Sequence, residues 1–434
     1  QADVMSGDLP FGFSPNPDDP NNPGGGPGGF DMSQLGAMLQ QLGAMLQSGQ
    51  NTPAGPVDWD LAKNLARQAI SQKGDPSVND NDVRRIGEAF DLAQVWLDPA
   101  TTFPAGTATP GVWSRSEWLE NTWPVWQQII EPIAEGVQQT LTSMPDMGQV
   151  NLQDLGIPGL AENMPEGMPD LNALAGPLMN MAKRMGAAMF GAQVGNGLAT
   201  LADDVLGAAD VTIPLTSDGR PALVSENVKA FGADLDVELA DLYLYLALRE
   251  AAHQRLYAHV PWLRTAVETA VRVYASGISV DTSKIQEALQ GIDPNDPQAI
   301  QDVMSSGVFE PAQTEEQKQA LSRLETLLAL IEGWVQDVVI AAIDGRMPSA
   351  ERLAETMRRR RASGGPAEKT FATLIGLELR PRALREASAL WAQVREGRGI
   401  EGRDGVWRHP DLIPTAEDLA DPTSWLEATG DLES

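Results

Sequence analysis

The chain has 434 residues, enough for two or three domains at about 150 residues each, and 42% of them are hydrophobic, so a sizeable core can form. A formal charge of −29 repels polyanions, which argues against general binding to nucleic acid or to an anionic membrane surface. The absence of cysteine excludes disulfides, thiolate zinc sites and cysteine nucleophiles, and it suits a cytoplasmic location.

Residues 1–29 are dense in Gly, Pro, Asn and Asp and read as a disordered tail, with neither the basic start nor the apolar run of a secretory signal. QLGAMLQ then occurs at 34–40 and again at 41–47, setting Leu35, Leu39, Leu42 and Leu46 along one helical face. Two heptads are too few for a stable coiled coil. Residues 30–56 therefore read as an amphipathic helix and linker docked on the body, with an oligomer formed through 34–47 as the competing reading.

The folded body begins near Val57. Helical periodicity runs through 57–72, 79–97 and 115–141, and Trp118, Trp123 and Trp126 fall among Leu and Ile at helical spacing, as core anchors do. Repeated Pro, Gly and Met at 142–170 predict an irregular connection, and 171–207 predict a helix pair. Within that pair, 185–202 falls short of the ~20 strongly apolar residues of a membrane span, while Gly191 and Gly195 suit close helix packing. VTIPL at 211–215, the turn residues after it and PALV at 221–224 predict a short hairpin, confined to an edge by Pro214 and Pro221. A long helix follows from about Asp234 to His259, where Pro261 blocks its continuation. Further helices are expected at 262–276, 282–305, 314–343, 348–361 and 380–396. The fold class is mainly α with a small β element, divided into a helical part at 57–207 and a second part at 208–434.

REAAHQRLYAH at 249–259 holds the pattern with most chemistry in it. In HExxH two histidines one helical turn apart face one zinc ion, and the glutamate beside the first acts as general base on a zinc-bound water. Glu250 and His253 keep their places in that motif. Arg249 stands where the first histidine belongs, and a guanidinium has no lone pair to give a metal. A unit charge about 5 Å from Zn²⁺ adds roughly 6 to 7 kcal/mol of repulsion at an effective dielectric near 20, against about 10 kcal/mol for a whole zinc site. His259 has the separation of the third ligand in HExxHxxGxxH, although Leu256 replaces the glycine that turns the chain there; capping of the helix C-terminus is its other reading. On these residues alone, an internal salt-bridge network fits better than a catalytic site.

Two further features stand out. Between 352 and 408 there are thirteen basic and seven acidic residues, including the run Arg358, Arg359, Arg360 and Arg361. That run reads either as a basic patch for an acidic partner or as a solvated helix end complementing the dipole. His409, in WRHPDLIPT, reads as a loop histidine.

LALREAAHQRLYAHVPWLR (246–264), LIEGWVQDVV (330–339) and GVWRHPDLIPTAEDLADP (405–422) resemble the actinobacterial zincin-like metallopeptidase family, in the branch that carries RExxH. GPVDWDLAKNLARQ (55–68), 190–215 and 358–391 extend the resemblance over nearly the whole body. It implies a zincin-like fold in the 208–434 part, with the long helix as the floor of a cleft beside the edge hairpin. In an active member, Glu250 would polarise water for peptide-bond hydrolysis, and His253, Glu332 and His259 would be the candidate zinc ligands. With Arg249 in place, the expectation is that zinc is absent from this site and that Arg249 fills the metal's position, paired with Glu332 or Glu250. The alternative to a hydrolase is a non-catalytic descendant whose cleft binds a peptide or protein, with Arg249 recognising a carboxylate.

Overall fold

The computed structural model describes residues 55–142, 171–276, 314–362 and 381–430, which form helices around one small sheet. The tail at 1–29, the QLGAMLQ repeat, all but the first residue of the connection expected at 142–170 and the helix expected at 282–305 lie outside these residues.

The first three periodic stretches become α1 (Trp59–Lys73), α2 (Asp80–Leu97) and α3 (Arg115–Thr142), with β1 (Gly111–Trp113) ahead of the third. Asp58 and Asn79 cap α1 and α2 by accepting the Leu61 and Asp82 backbone N–H groups at 3.0 and 2.9 Å. Trp118, Trp123 and Trp126 are all buried, and Trp118 Nε1 donates to the Gly207 carbonyl at 3.2 Å. Where a helix pair was expected there is a single helix, α4 (Leu171–Ala202). Gly191 and Gly195 within it are contact points with α1 and not breaks. A Cβ on Gly191 would lie 2.5 Å from the Asp58 carbonyl oxygen, and one on Gly195 2.4 Å from that of Ala62.

The β element exists, but it is not the expected hairpin. β2 (Ala222–Val224) pairs in parallel with β1, from Gly111 opposite Ala222 to Trp113 opposite Val224. Along its other edge Gly207 bridges to Leu223 in antiparallel fashion, with Ala208 N donating to Ala222 O at 3.1 Å and Val224 N to Leu206 O at 2.9 Å. Residues 211–215 are buried without forming a strand, because Thr212 takes a left-handed φ of 68° and Pro214 has no N–H to give a ladder. The apolar alternation of Val211, Ile213 and Leu215 reflects burial of an irregular loop.

The chain continues through α5 (Ser225–Gly232), α6 (Leu239–His259), α7 (Pro261–Ser276), α8 (Glu315–Ile343), α9 (Ala350–Ala362), α10 (Pro381–Gly405), α11 (Ala416–Ala420) and α12 (Pro422–Gly430). α6 is buried without interruption from Leu242 to His253, because α2, α8, α9 and β2 all pack on it. Such a helix is the inside of the fold and not an amphipathic surface element. α8 opens with a capping box between Thr314 and Gln317 and crosses both α7 and α10. It is long and apolar enough to cross a membrane, and 83% of that apolar window is buried inside the protein.

Candidate functional site

α6 and α8 meet where Arg249 faces Glu332, and both side chains are almost completely buried. Arg249 Nη2 donates to Glu332 Oε1 in a close ion pair. Three more groups converge on the same carboxylate: Arg361 Nε of α9 at 3.3 Å, Thr212 Oγ1 at 3.3 Å and His253 Nε2 at 3.5 Å. Burial alone would raise the Glu332 carboxyl, but the Arg249 and Arg361 charges outweigh it and hold the group well below the usual carboxylate range. The site is therefore a buried cationic cluster organised around one anion.

The loop at 206–212 forms the opposite wall. Asp210 accepts the Leu206 N–H at 3.0 Å and bonds Arg360 through both oxygens, at 3.1 and 2.9 Å. Arg361 Nη2 donates to the Asp210 carbonyl at 2.7 Å and Nη1 to Thr212 Oγ1 at 3.2 Å. Tyr257 Oη donates to the Thr212 carbonyl at 3.1 Å, which helps hold the left-handed residue in place.

Glu250 does not join the cluster. Both its oxygens accept the Ala209 backbone N–H, at 3.0 and 3.1 Å, and burial pushes its carboxyl up to about 8 against the pull of that N–H. Gly207 makes the approach possible, since a Cβ there would sit 2.4 Å from Glu250 Oε1 and 2.5 Å from the Ala222 carbonyl oxygen. Between Glu250, His253 and Arg361 lies a cavity of about 10 Å³, room for at most a single water. A peptide bond has no space beside Glu250 in this arrangement.

The donors present do not fit zinc. His253 turns Nδ1 to the Arg249 carbonyl at 2.9 Å, which leaves Nε2 as a competent donor beside Glu332, but it is a single one. Glu332 is already shared between two guanidiniums, and Glu250 is directed at Ala209. Among the described residues no group of three or more His, Asp or Glu side chains comes together as a metal site. Two fixed positive charges at the same carboxylate would repel a divalent cation by several kcal/mol each, on the order of the whole binding energy of a zinc site.

The remaining candidate residues fall elsewhere. His259 is exposed, stacked on Phe103 with ring centroids 5.8 Å apart, and its Nε2 lies 3.0 Å from the Pro104 carbonyl oxygen. His409 bonds only its own turn, with Nδ1 accepting the Asp411 N–H at 3.2 Å. The RRRR run does not act as one patch, because successive residues on a helix point about 100° apart. Arg360 and Arg361 turn inward to Asp210 and Glu332, while Arg358 and Arg359 stay outside with Glu355. Asp210 and Thr212 escaped the sequence reading. Their signal was an acid and a hydroxyl inside the apolar run AADVTIPL, polar groups that need buried partners.

A family model described as zincin-like metallopeptidase matches residues 57–426, which takes in Arg249, Glu250, His253, Glu332 and Arg361. A crystal structure from Chloroflexus aurantiacus, described as a putative hydrolase with a novel fold, has a TM-score of 0.56 and 19% identity to this chain. The match covers 86% of this chain and 99% of that one, and at this identity it is a likeness of fold. No curated protein matches. Since the family model runs through every element that builds the cluster, the chain belongs to the zincin-like metallopeptidase family.

Proposed function

We propose that this chain is a zincin-like metallopeptidase homologue that has exchanged zinc chemistry for a binding role, with Arg249 filling the position a metal cation would hold. The observation that carries this reading is the Arg249–Glu332 ion pair. It places a guanidinium against the carboxylate that the resemblance assigns as third zinc ligand. Arg249 also supplies the backbone carbonyl that engages His253 Nδ1, so the arginine and the remaining histidine belong to one hydrogen-bonded unit. Glu250, the residue that would polarise a water, is held as a buried acid whose carboxyl is raised to about 8, and near neutrality most of it is protonated and a poor base.

Metal analysis tests the reading directly. Protein purified without chelator, then equilibrated with a small excess of Zn²⁺ and desalted, is expected to retain well under one equivalent, and His253→Ala is expected to match it. Stoichiometric zinc that disappears in His253→Ala would overturn the proposal and return the chain to the hydrolases.

A further inference from the structure

Arg249 is a poor receptor for an outside carboxylate, because Glu332 already neutralises it at the bottom of the cleft. The free positive charge lies farther out. Among the described residues, α6, α8, α9 and α10 enclose a groove of about 500 Å³ lined by five arginines and only two glutamates. Its floor is the buried Arg249–Glu332 pair, and its rim carries Arg358, Arg359 and Arg385. Glu355 is the rim's one acid, and it is divided between Arg358 at 3.1 Å and Arg359 at 2.7 Å. Arg358 and Arg359 are about half and four-fifths exposed in their side chains, so their remaining N–H groups face solvent. Met357 and Leu384 add apolar wall, and Gln336 and Ser388 add amide and hydroxyl groups.

We propose that this groove docks an acidic segment of a protein partner, with Arg358, Arg359 and Arg385 pairing to its Asp and Glu carboxylates. The inference rests on the binding role proposed above and names the chemistry of what is bound. Planar guanidinium forks match carboxylates bidentately, and three of them along one rim suit a run of acids better than a single terminal carboxylate. A polypeptide fits better than a nucleic acid for two reasons. Among the described residues the groove has no exposed ring for base stacking, since the one aromatic residue lining it, Tyr245, is 2% exposed. The chain's −29 charge also repels a long polyanion, whereas a short segment feels mainly the local field within a Debye length of about 8 Å.

The test is fluorescence polarisation of the full chain with a short labelled peptide of alternating Asp and Glu, beside its Asn and Gln counterpart and a single-stranded DNA oligonucleotide. The acidic peptide is expected to bind and to weaken steeply between about 50 and 300 mM salt, with little binding of the other two. Arg358→Gln with Arg359→Gln is expected to weaken it roughly fivefold to tenfold. Glu355→Gln, which removes the internal competitor, is expected to tighten it roughly twofold or more. Both variants lie on the exposed rim, and an unchanged unfolding midpoint confirms that each is folded. Equal binding of the neutral peptide, tighter binding of the DNA, no effect of the arginine changes, or weaker binding in Glu355→Gln would each overturn the proposal. Zinc in the metal analysis would sink the exchanged-site reading alone, and a failed peptide titration would sink this one alone.

Discussion

If Arg249 and Glu332 form one electrostatic unit, removing both should cost well below the sum of the two separate costs. Arg249→Met keeps most of the apolar stem and leaves Glu332 with Arg361 at 3.3 Å and Thr212 at 3.3 Å. Breaking a buried pair costs about 3 to 5 kcal/mol, and the surviving guanidinium places this change near the lower end, at about 3 kcal/mol. Glu332→Gln does the opposite. Arg249 and Arg361 then face each other with no anion between them, and the loss should approach about 5 kcal/mol, eased only by the Asp210 contacts of Arg361. In the double variant neither buried charge is left stranded by the other, so its cost should fall at least ~2 kcal/mol below the sum. Urea unfolding followed by tryptophan emission reports all four states, since the chain has 11 tryptophans. Costs that add to within about 0.5 kcal/mol would mean that the two groups do not interact, and the picture of a charge-compensated cluster would fail.

Three other outcomes are expected. Glu250 is raised from 4.5 to about 8 on folding, so its contribution is fully present below the unfolded value and is lost as pH climbs toward 8. Glu250→Gln keeps an acceptor for the Ala209 N–H and should gain on the wild type by up to about 1.4 kcal/mol per pH unit across that window; a difference independent of pH in urea titrations would contradict this. Gly333→Ala places a Cβ 2.8 Å from the Ala387 backbone, so α10 must move off α8 at a cost of about 1 to 3 kcal/mol, read as a lower urea midpoint. Arg249→His combined with Arg361→Gln should gain zinc by calorimetric titration, and more tightly than Arg249→His alone, because Arg361 otherwise keeps its charge beside Glu332; equal affinities would show that Arg361 does not oppose the metal.

Most of the helical frame was legible from periodicity, because apolar residues at helical spacing have to face a neighbour. α6 shows the limit of that signal. It is apolar on nearly every face, so periodicity located it but could not say which residues meet which partners. The Arg249–Glu332 contact was open in the sequence as one of two pairings, and the excluded one is instructive. Glu250 is next to Arg249 in the chain, yet neighbours on a helix diverge, and its carboxylate is held by a backbone N–H from the 206–212 loop instead. The alternation of Val211, Ile213 and Leu215 predicts a strand at 211–215, and alternation cannot reveal the left-handed turn at Thr212. The parallel pairing of β1 with β2 joins residues about 110 positions apart and leaves no local trace.

On the proposed reading, Arg249 separates two demands that a zinc ion meets together. A zincin fold that buries Glu332 beside Asp210 needs positive charge at that place for stability, and Arg249, Arg360 and Arg361 supply it through directed N–H groups. Hydrolysis needs a cation that accepts a lone pair and acidifies water, which a guanidinium cannot do. On the proposed reading the first demand is met here and the second is not. Such a cluster holds α6, α8, α9 and the 206–212 loop together without a cofactor, and the groove above it keeps a rigid floor. On the same reading a floor of this kind suits recognition, because it fixes α9, which carries the rim residues Arg358 and Arg359, so less binding energy goes into ordering the backbone that presents them.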